Sequence, residues 1–330
     1  MKIVVTGGAG FIGSNFIKYI LRKYQDYKIL NIDKLTYAGN LENLKEVEAN
    51  PNYKFLKKDI CDKDLEDYIE NYDVIINFAA ESHVDRAIYN PERFLKTDIF
   101  GTFNLLEITK KRNIRFIQIS TDEVYGSIEE GSFDENSPLN PSNPYSSSKG
   151  SADLIVLSYF KTYKIPVNII RSCNNYGPNQ FPEKFIPLMI TNAIEDKKLP
   201  IYGDGLYRRE WIYVYDNCEA IDFVLHKGKE GEIYNVSSEF SIPNIEIAKK
   251  ILKLLNKSED LIEFVKDRPG HDRRYSIKCE KIKKLGWEPK VDFEEGLKLT
   301  VKWYIENKKW WEKIKKSKKF LTFYKKIYNF

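Results

Sequence analysis

Histidine, methionine and cysteine are scarce in this 330-residue chain, at three, two and four residues. His83, His226 and His271 are too scattered to pair as ligands, which argues against a metal centre. Cys61, Cys173, Cys218 and Cys279 lie far apart with no C-x-x-C pair, which excludes a disulfide framework and suits reduced thiols in a cytoplasm. No stretch approaches the ~18 consecutive apolar residues of a membrane span. Met1-Lys2 runs straight into a short strand pattern, so no signal peptide is expected. Internal repeats and low-complexity linkers are also missing. One sign of charge is nearly absent from the C-terminus: residues 308–330 carry nine lysines against one glutamate. The tail therefore holds +8 of the formal +5, and the rest of the chain stands at −3. A basic total thus says nothing about the body of the protein, and no nucleic-acid partner is implied.

What is present is 42% hydrophobic and 14% aromatic residues, the composition of a packed globular protein. Lys2 to Thr6 reads as a buried strand and Phe11 to Tyr24 as a helix with Ile12, Phe16 and Ile20 on one face. Between them, Gly7-Gly8-Ala9-Gly10-Phe11-Ile12-Gly13 forms a glycine turn from strand to helix. There backbone N–H groups and the helix dipole can hold a pyrophosphate. A second strand, Lys28 to Ile32, ends at Asp33, placed to accept from adenosine ribose hydroxyls and to repel a 2′-phosphate, which favours NAD over NADP. Phe55-Leu56 leads to Asp59-Ile60, where an acid could meet the adenine amino group. Asp73 to Ala80 is read as another strand, ending in small Ala79 and Ala80, and Arg93 to Lys111 as a helix. His83 is read as a hydrogen-bonded turn residue. The series continues through the strands Phe116–Ile119 and Val167–Ile170, with a helix to about Tyr163 between them. This alternation predicts an α/β fold: a doubly wound parallel sheet with a smaller, interleaved C-terminal lobe.

The stretch from Ser120 to Lys149 concentrates the chemistry. Thr121, Asp122 and Glu123 follow an apolar strand, and ligands of open α/β sheets bind beyond the strands' carboxyl ends. Tyr145 and Lys149 are four apart and share one helix face. A phenol titrates near pH ~10 when unperturbed, and a neighbouring cation favours phenolate, so this pair can act as a base. From Gln180 onward prolines interrupt shorter elements, and Lys184, Tyr202, Arg208, Arg209, Trp211, Arg268, His271, Arg273 and Arg274 gather. Arginines suit a diphosphate and aromatics a base or sugar. We therefore expect a cofactor domain over 1–180 with later segments returning to it, a substrate lobe suited to a diphosphate and a base or sugar over 181–311, and a basic aromatic extension over 312–330. Phe320, Phe323, Tyr324, Ile327 and Tyr328 give that extension an amphipathic pattern, read as a terminal helix packed on its own subunit or a neighbour.

Taken together, the ordered motifs resemble the dTDP-glucose 4,6-dehydratases of the extended short-chain dehydrogenase/reductase family. They are Gly7–Gly13, Asp33–Asn40, Ala80–Arg86, Thr121–Gly126, Tyr145–Lys149, Asn174–Pro178 and Asp267–Tyr275, and the likeness runs from Lys2 to about Trp311. The resemblance implies a Rossmann-type domain, NAD as cofactor and a homodimer built on helices near Arg93–Lys111 and Tyr145–Tyr163. It implies that Tyr145 deprotonates the sugar 4-hydroxyl as hydride passes from C4 to NAD, with Lys149 holding the nicotinamide ribose and lowering the Tyr145 pKa. Thr121 would hydrogen-bond the 4-oxygen, Glu123 would take the C5 proton, and Asp122 would protonate the departing C6 hydroxyl before hydride returns to C6. Gly7, Gly10, Phe11, Ile12, Gly13, Asp33, Lys34, Leu35, Thr36, Asp59, Ile60, Ala79, Ala80, Thr97 and Asn175 would line NAD. Ser82, Asn174, Lys184, Phe185, Pro200, Ile201, Tyr202, Arg209, Asn244, Arg268 and His271 would line dTDP-glucose.

Two departures stand out: Arg209-Glu210-Trp211 where the family usually has Arg-Asp-Trp, and the tail beyond Trp311. The longer acid is expected to shift Arg209. Rival readings are a UDP-glucose 4,6-dehydratase, another nucleotide-sugar epimerase or dehydratase, and a non-catalytic NAD-sensing scaffold. An epimerase has no need of the Asp122–Glu123 pair. A GDP-mannose dehydratase typically carries Ser where Asp122 stands, and a sensor would be expected to lose Tyr145 or Lys149.

Overall fold

The computed structural model describes residues 1–328. Its first half alternates strand and helix: β1 (Lys2–Thr6), α1 (Phe11–Lys23), β2 (Lys28–Ile32), β3 (Tyr53–Leu56) and β4 (Val74–Asn77). Next come α2 (Val84–Tyr89), α3 (Pro91–Phe94), a π-helical segment (Leu95–Gly101), α4 (Thr102–Arg112), β5 (Arg115–Thr121), α5 (Pro144–Tyr163) and β6 (Val167–Ser172). After these the elements shorten: β7 (Asn174–Tyr176), α6 (Phe185–Ile194), β8 (Leu199–Tyr202), β9 (Arg208–Tyr213), α7 (Val214–Lys227), β10 (Ile233–Val236), β11 (Ser241–Pro243), α8 (Asn244–Leu254), β12 (Ile262–Val265) and α9 (Glu280–Lys283). The chain ends in three helices, α10 (Phe293–Glu306), α11 (Lys308–Lys315) and α12 (Lys318–Tyr328).

Seven strands form one sheet in the order β3-β2-β1-β4-β5-β6-β10, all parallel. Its strands are continuous apolar runs because both faces are covered: Ile3 and Val5 pack with α1 residues Phe16 and Ile20, while Val4 and Phe116 pack with Leu105 and Val156. The strand order reverses between β1 and β4, the switch point where such sheets bind ligands. A second apolar cluster joins α6, β8, β9, α8 and α10 around Met189, Trp211, Ile247 and Trp311. Two small sheets serve this part: β11-β9-β7, and β12 paired with β8.

Local chemistry sets the boundaries that matter. Asn143 caps α5 by accepting from the Ser146 amide at 3.0 Å, Ser146 returns the bond to the Asn143 backbone, and Pro144 occupies the first turn. Two expected elements differ. The strand read as Asp73–Ala80 spans Val74–Asn77; Phe78 still donates its amide to the Thr6 carbonyl, and Ala79 beyond it packs against the Gly7 backbone. The helix read as Arg93–Lys111 spans 91–112 but is interrupted by the π-turn at 95–101, which shifts the facing of Thr97 and Asp98. All four cysteines are free. Among the described residues no helix is long and apolar enough to cross a membrane.

Candidate active site

A cleft of about 300 Å³ opens at the switch point. Its floor is the glycine turn after β1. A Cβ on Gly7 would meet the Ala79 backbone at 2.6 Å, and one on Gly13 would meet the Gly7 carbonyl at 2.7 Å, so only glycine keeps this cradle open. Gly10, Phe11 and Ile12 complete the turn's lining, and Asp33, Lys34, Thr36, Asp59 and Ile60 line the flank beside β2 and β3. Ala79, Ala80, Thr97 and Asn175 line the rest. Leu35, expected here, does not line the cleft; its amide instead donates to Asp33 Oδ1 at 2.7 Å, while Asp33 Oδ2 accepts from Ala9 N at 2.9 Å. These two bonds fix the Asp33 carboxylate at the rim, leaving acceptor capacity on both oxygens. Asp59 forms an ion pair with Lys34. A narrow glycine cradle closed by alanines, with a fixed acid one strand away, fits a dinucleotide lying along the strand ends.

At the inner end of the cleft stand Thr121, Asp122, Glu123, Tyr145 and Lys149. β5 stops at Thr121, whose hydroxyl accepts from the Glu123 amide at 3.3 Å and so starts the tight turn carrying both acids. The same hydroxyl donates to Asp122 Oδ1 at 3.2 Å and lies within hydrogen-bonding reach of the Tyr145 phenol. Asp122 is buried, and its Oδ2 has no partner among the described residues. Burial first, then the charges of Glu123 and Glu210, push its carboxyl well above the usual range. Burial raises Glu123 as well, and Arg268, Arg209 and Lys184 oppose that rise without cancelling it. The two neighbouring acids thus sit in opposed fields.

Lys149 Nζ donates to the Ile119 carbonyl at 2.6 Å, and burial lowers its pKa against the pull of Asp98 and Asp153. The expected lowering of Tyr145 is not present in this state: burial, Glu123 and Asp98 push the phenol well upward. Asp98 was missed in the sequence, where it sits in an ordinary helical pattern. The π-turn buries it, so that Oδ1 accepts from Glu81 N at 3.0 Å and Oδ2 from Ser148 Oγ at 2.7 Å. Burial pushes its carboxyl up to about 7.

Of the residues expected to hold a nucleotide sugar, Ser82, Asn174 and Lys184 line the cleft, and Lys184 Nζ donates to the Ser82 carbonyl. Phe185, Pro200, Ile201, Tyr202, Arg209, Asn244, Arg268 and His271 do not line it. Arg209 stacks over Tyr275 at 4.2 Å and donates to the Asp272 carbonyl at 2.8 Å. His271 stacks on Tyr207 at 3.7 Å and binds Asp267 through Nδ1 at 2.7 Å. Glu210, expected to shift Arg209, is instead a buried tether that accepts from Ser237 at 2.6 Å and Ser276 at 2.5 Å. His83, read as a hydrogen-bonded turn residue, stands just before α2 and is buried, with its ring edge-on to Phe323 at 5.6 Å. Among the described residues no cluster of His, Cys, Asp and Glu could hold a metal ion.

A seven-stranded switch-point sheet, a glycine cradle, and a Tyr-x-x-x-Lys helix facing a Thr-Asp-Glu turn define a dinucleotide-dependent enzyme of the short-chain dehydrogenase/reductase class. The family model for GDP-mannose 4,6 dehydratase matches residues 4–300, and the chain belongs to that family. It is 52% identical to the low-salt glycan biosynthesis protein Agl12 of Haloferax volcanii over 307 residues, 92% of this chain and 99% of that protein. It is 49% identical to the dTDP-glucose 4,6-dehydratase of Haemophilus influenzae, covering 93% of this chain and 98% of that one. The crystal structure of the Bacillus anthracis dTDP-glucose 4,6-dehydratase in complex with NAD superposes with a TM-score of 0.90 at 52% identity, over 95% of this chain and 99% of that chain.

Proposed function

We propose that this chain converts dTDP-glucose to dTDP-4-keto-6-deoxyglucose and water, using a tightly held NAD that ends each cycle as it began. The observation that carries the reading is the pair of adjacent carboxylates, Asp122 and Glu123, in opposed fields beside Tyr145. Family membership alone leaves the sugar open, and the acid at Asp122 favours a glucose-type substrate over mannose. In this reading residues 181–311 form the nucleotide-sugar lobe, apart from α7 and β10, which return to the main sheet. The enzyme works in the cytoplasm.

When bound, NAD supplies the redox step, taking hydrogen with its electron pair from C4 and returning it to C6. The chain's own residues move the protons. Tyr145, as the phenolate that Lys149 and the positive nicotinamide ring would favour against Glu123 and Asp98, takes the 4-hydroxyl proton while Thr121 holds the same oxygen. Once C4 is a ketone the C5 proton is acidic, and Glu123, kept ionised by Arg268, Arg209 and Lys184, removes it. Asp122, kept neutral by burial and by Glu123, gives its proton to the C6 hydroxyl, which leaves as water. Glu123 then returns its proton to C5, and the proton on Tyr145 balances the one Asp122 lost.

The test is a proton NMR time course of purified protein with dTDP-glucose and no added NAD. A new C6 methyl doublet is expected. Conversion to a galacto-configured anomeric signal would make the chain an epimerase. Turnover of UDP-glucose alone would keep the chemistry and change the nucleotide.

A further inference from the structure

The proposed chemistry leaves the C-terminal helix unused, and the matched family region ends at residue 300. α12 is amphipathic, and its apolar side lies on its own chain. Phe320 is buried in the second cluster and faces Phe181. Phe323 covers one face of the Arg86 guanidinium at 3.7 Å, with Tyr37 on the other face at 3.8 Å. One turn further, Tyr328 stacks on Tyr202 with ring centroids 5.8 Å apart and planes at 30°.

What lies under this helix has the makings of a nucleotide seat. Tyr202 ends β8, and the Arg268 guanidinium lies 5.9 Å from its ring. Among the described residues Arg268 Nε and Asn244 Oδ1 are buried without a hydrogen-bond partner, and such groups call for a ligand or a water to complete them. Arg268, Arg209 and Lys184 all bear on Glu123, so a diphosphate there would connect this seat to the cleft. Yet Tyr202 does not open onto the cleft, and its ring is stacked by Tyr328.

We propose that α12 is a built-in competitor for the nucleotide subsite: Tyr328 holds the aromatic seat on Tyr202 in the free chain, and an entering nucleoside diphosphate displaces the helix's last turns. The inference rests on reading the chain as a nucleotide-sugar enzyme. A tyrosine ring and a pyrimidine base are planar and interchangeable as stacking partners. Phe320 anchors the start of α12, so only the terminal turns need to leave, and those are the turns that open most readily.

The probe is free dTDP with the full-length protein. Hydrogen exchange of the amides of 323–328 is expected to speed up on saturation with dTDP, while those of 308–315 hold. The apparent Kd scales inversely with the fraction of chains whose seat is open, so Tyr328→Ala is expected to lower the Kd for dTDP about fivefold. Slower exchange on binding, weaker binding by Tyr328→Ala, or no change in either measurement would overturn the proposal. The NMR time course separates the two readings. Turnover with an unmoved tail removes only this inference, whereas a tail released by dTDP without turnover removes only the proposed reaction.

Discussion

Asp122 and Glu123 differ by one methylene and by everything around them. Asp122 feels chiefly burial and two acids against Arg209, whereas Glu123 feels burial and Asp272 against two arginines and a lysine. If the first must hold a proton while the second has none, each substitution should stop the cycle at a different step. Glu123→Gln keeps Thr121 and Tyr145, so C4 oxidation proceeds and the absorbance of reduced nicotinamide accumulates, while turnover falls by ~10²–10⁴. Tyr145→Phe shows no such absorbance at all. Equal loss of both signals in a stopped-flow trace would contradict the assignment. Asp98 offers a stability test nearby. Its folded carboxyl, pushed up to about 7 by burial against the pull of Lys149, compares with about 3.9 in an unfolded chain. Over that window the native state keeps a proton that the unfolded state gives up, so this group's contribution to stability falls as pH rises from about 4 to about 7. Asp98→Asn removes that loss. With the carboxyl gone, Ser148 Oγ can turn its proton to the Tyr145 carbonyl 2.8 Å away and accept from the new amide. Urea unfolding is expected to show a gain on the order of 2 kcal/mol at pH 8, shrinking at pH 5. An equal effect at both pH values would refute it.

Among the elements, those whose hydrophobic period is unbroken were legible from sequence almost to the residue. β1, β2 and α5 are such cases, because burial on both faces or a cap such as Asn143 writes the boundary into residue type. The cleft's glycine cradle and the Thr-Asp-Glu turn were legible for the same reason. β4 was read too long because Phe78, Ala79 and Ala80 are apolar, yet the strand ends at Asn77 and Ala79 beyond it packs against the Gly7 backbone. The π-turn at 95–101 has no signature in apolar spacing, since one extra residue per turn merely shifts which side faces inward, and Asp98 was lost with it. For the tail, amphipathicity was readable but its partner was not. Nothing within 312–330 specifies that Phe323 lies on Arg86 or Tyr328 on Tyr202, since those contacts depend on segments far away in sequence.

At the scale of the whole molecule, the helical run over 91–112 and α5 pack side by side, and their outer faces carry large apolar residues. Leu95, Phe100 and Phe103 on the first and Leu154 and Tyr163 on the second are 45%, 64%, 46%, 58% and 51% exposed. Scattered exposed apolar side chains are ordinary, but five on two adjoining helices form the kind of patch that marks an interface. A two-fold contact sets the same patch against itself, so each copy covers the other's Phe100 and Leu154. The same helices hold Asp98, Tyr145 and Lys149 on their inner side, so dimerisation would stiffen the frame of the site without adding a residue to it. Sedimentation is therefore expected to give about twice the 38.8 kDa chain mass at micromolar concentration. Phe100→Glu with Leu154→Glu places like charges on both sides of that contact and is expected to yield monomer that still retains its bound cofactor. A wild-type chain that sediments only as monomer would remove the dimer. A charged variant that stays dimeric would move the interface elsewhere on the surface.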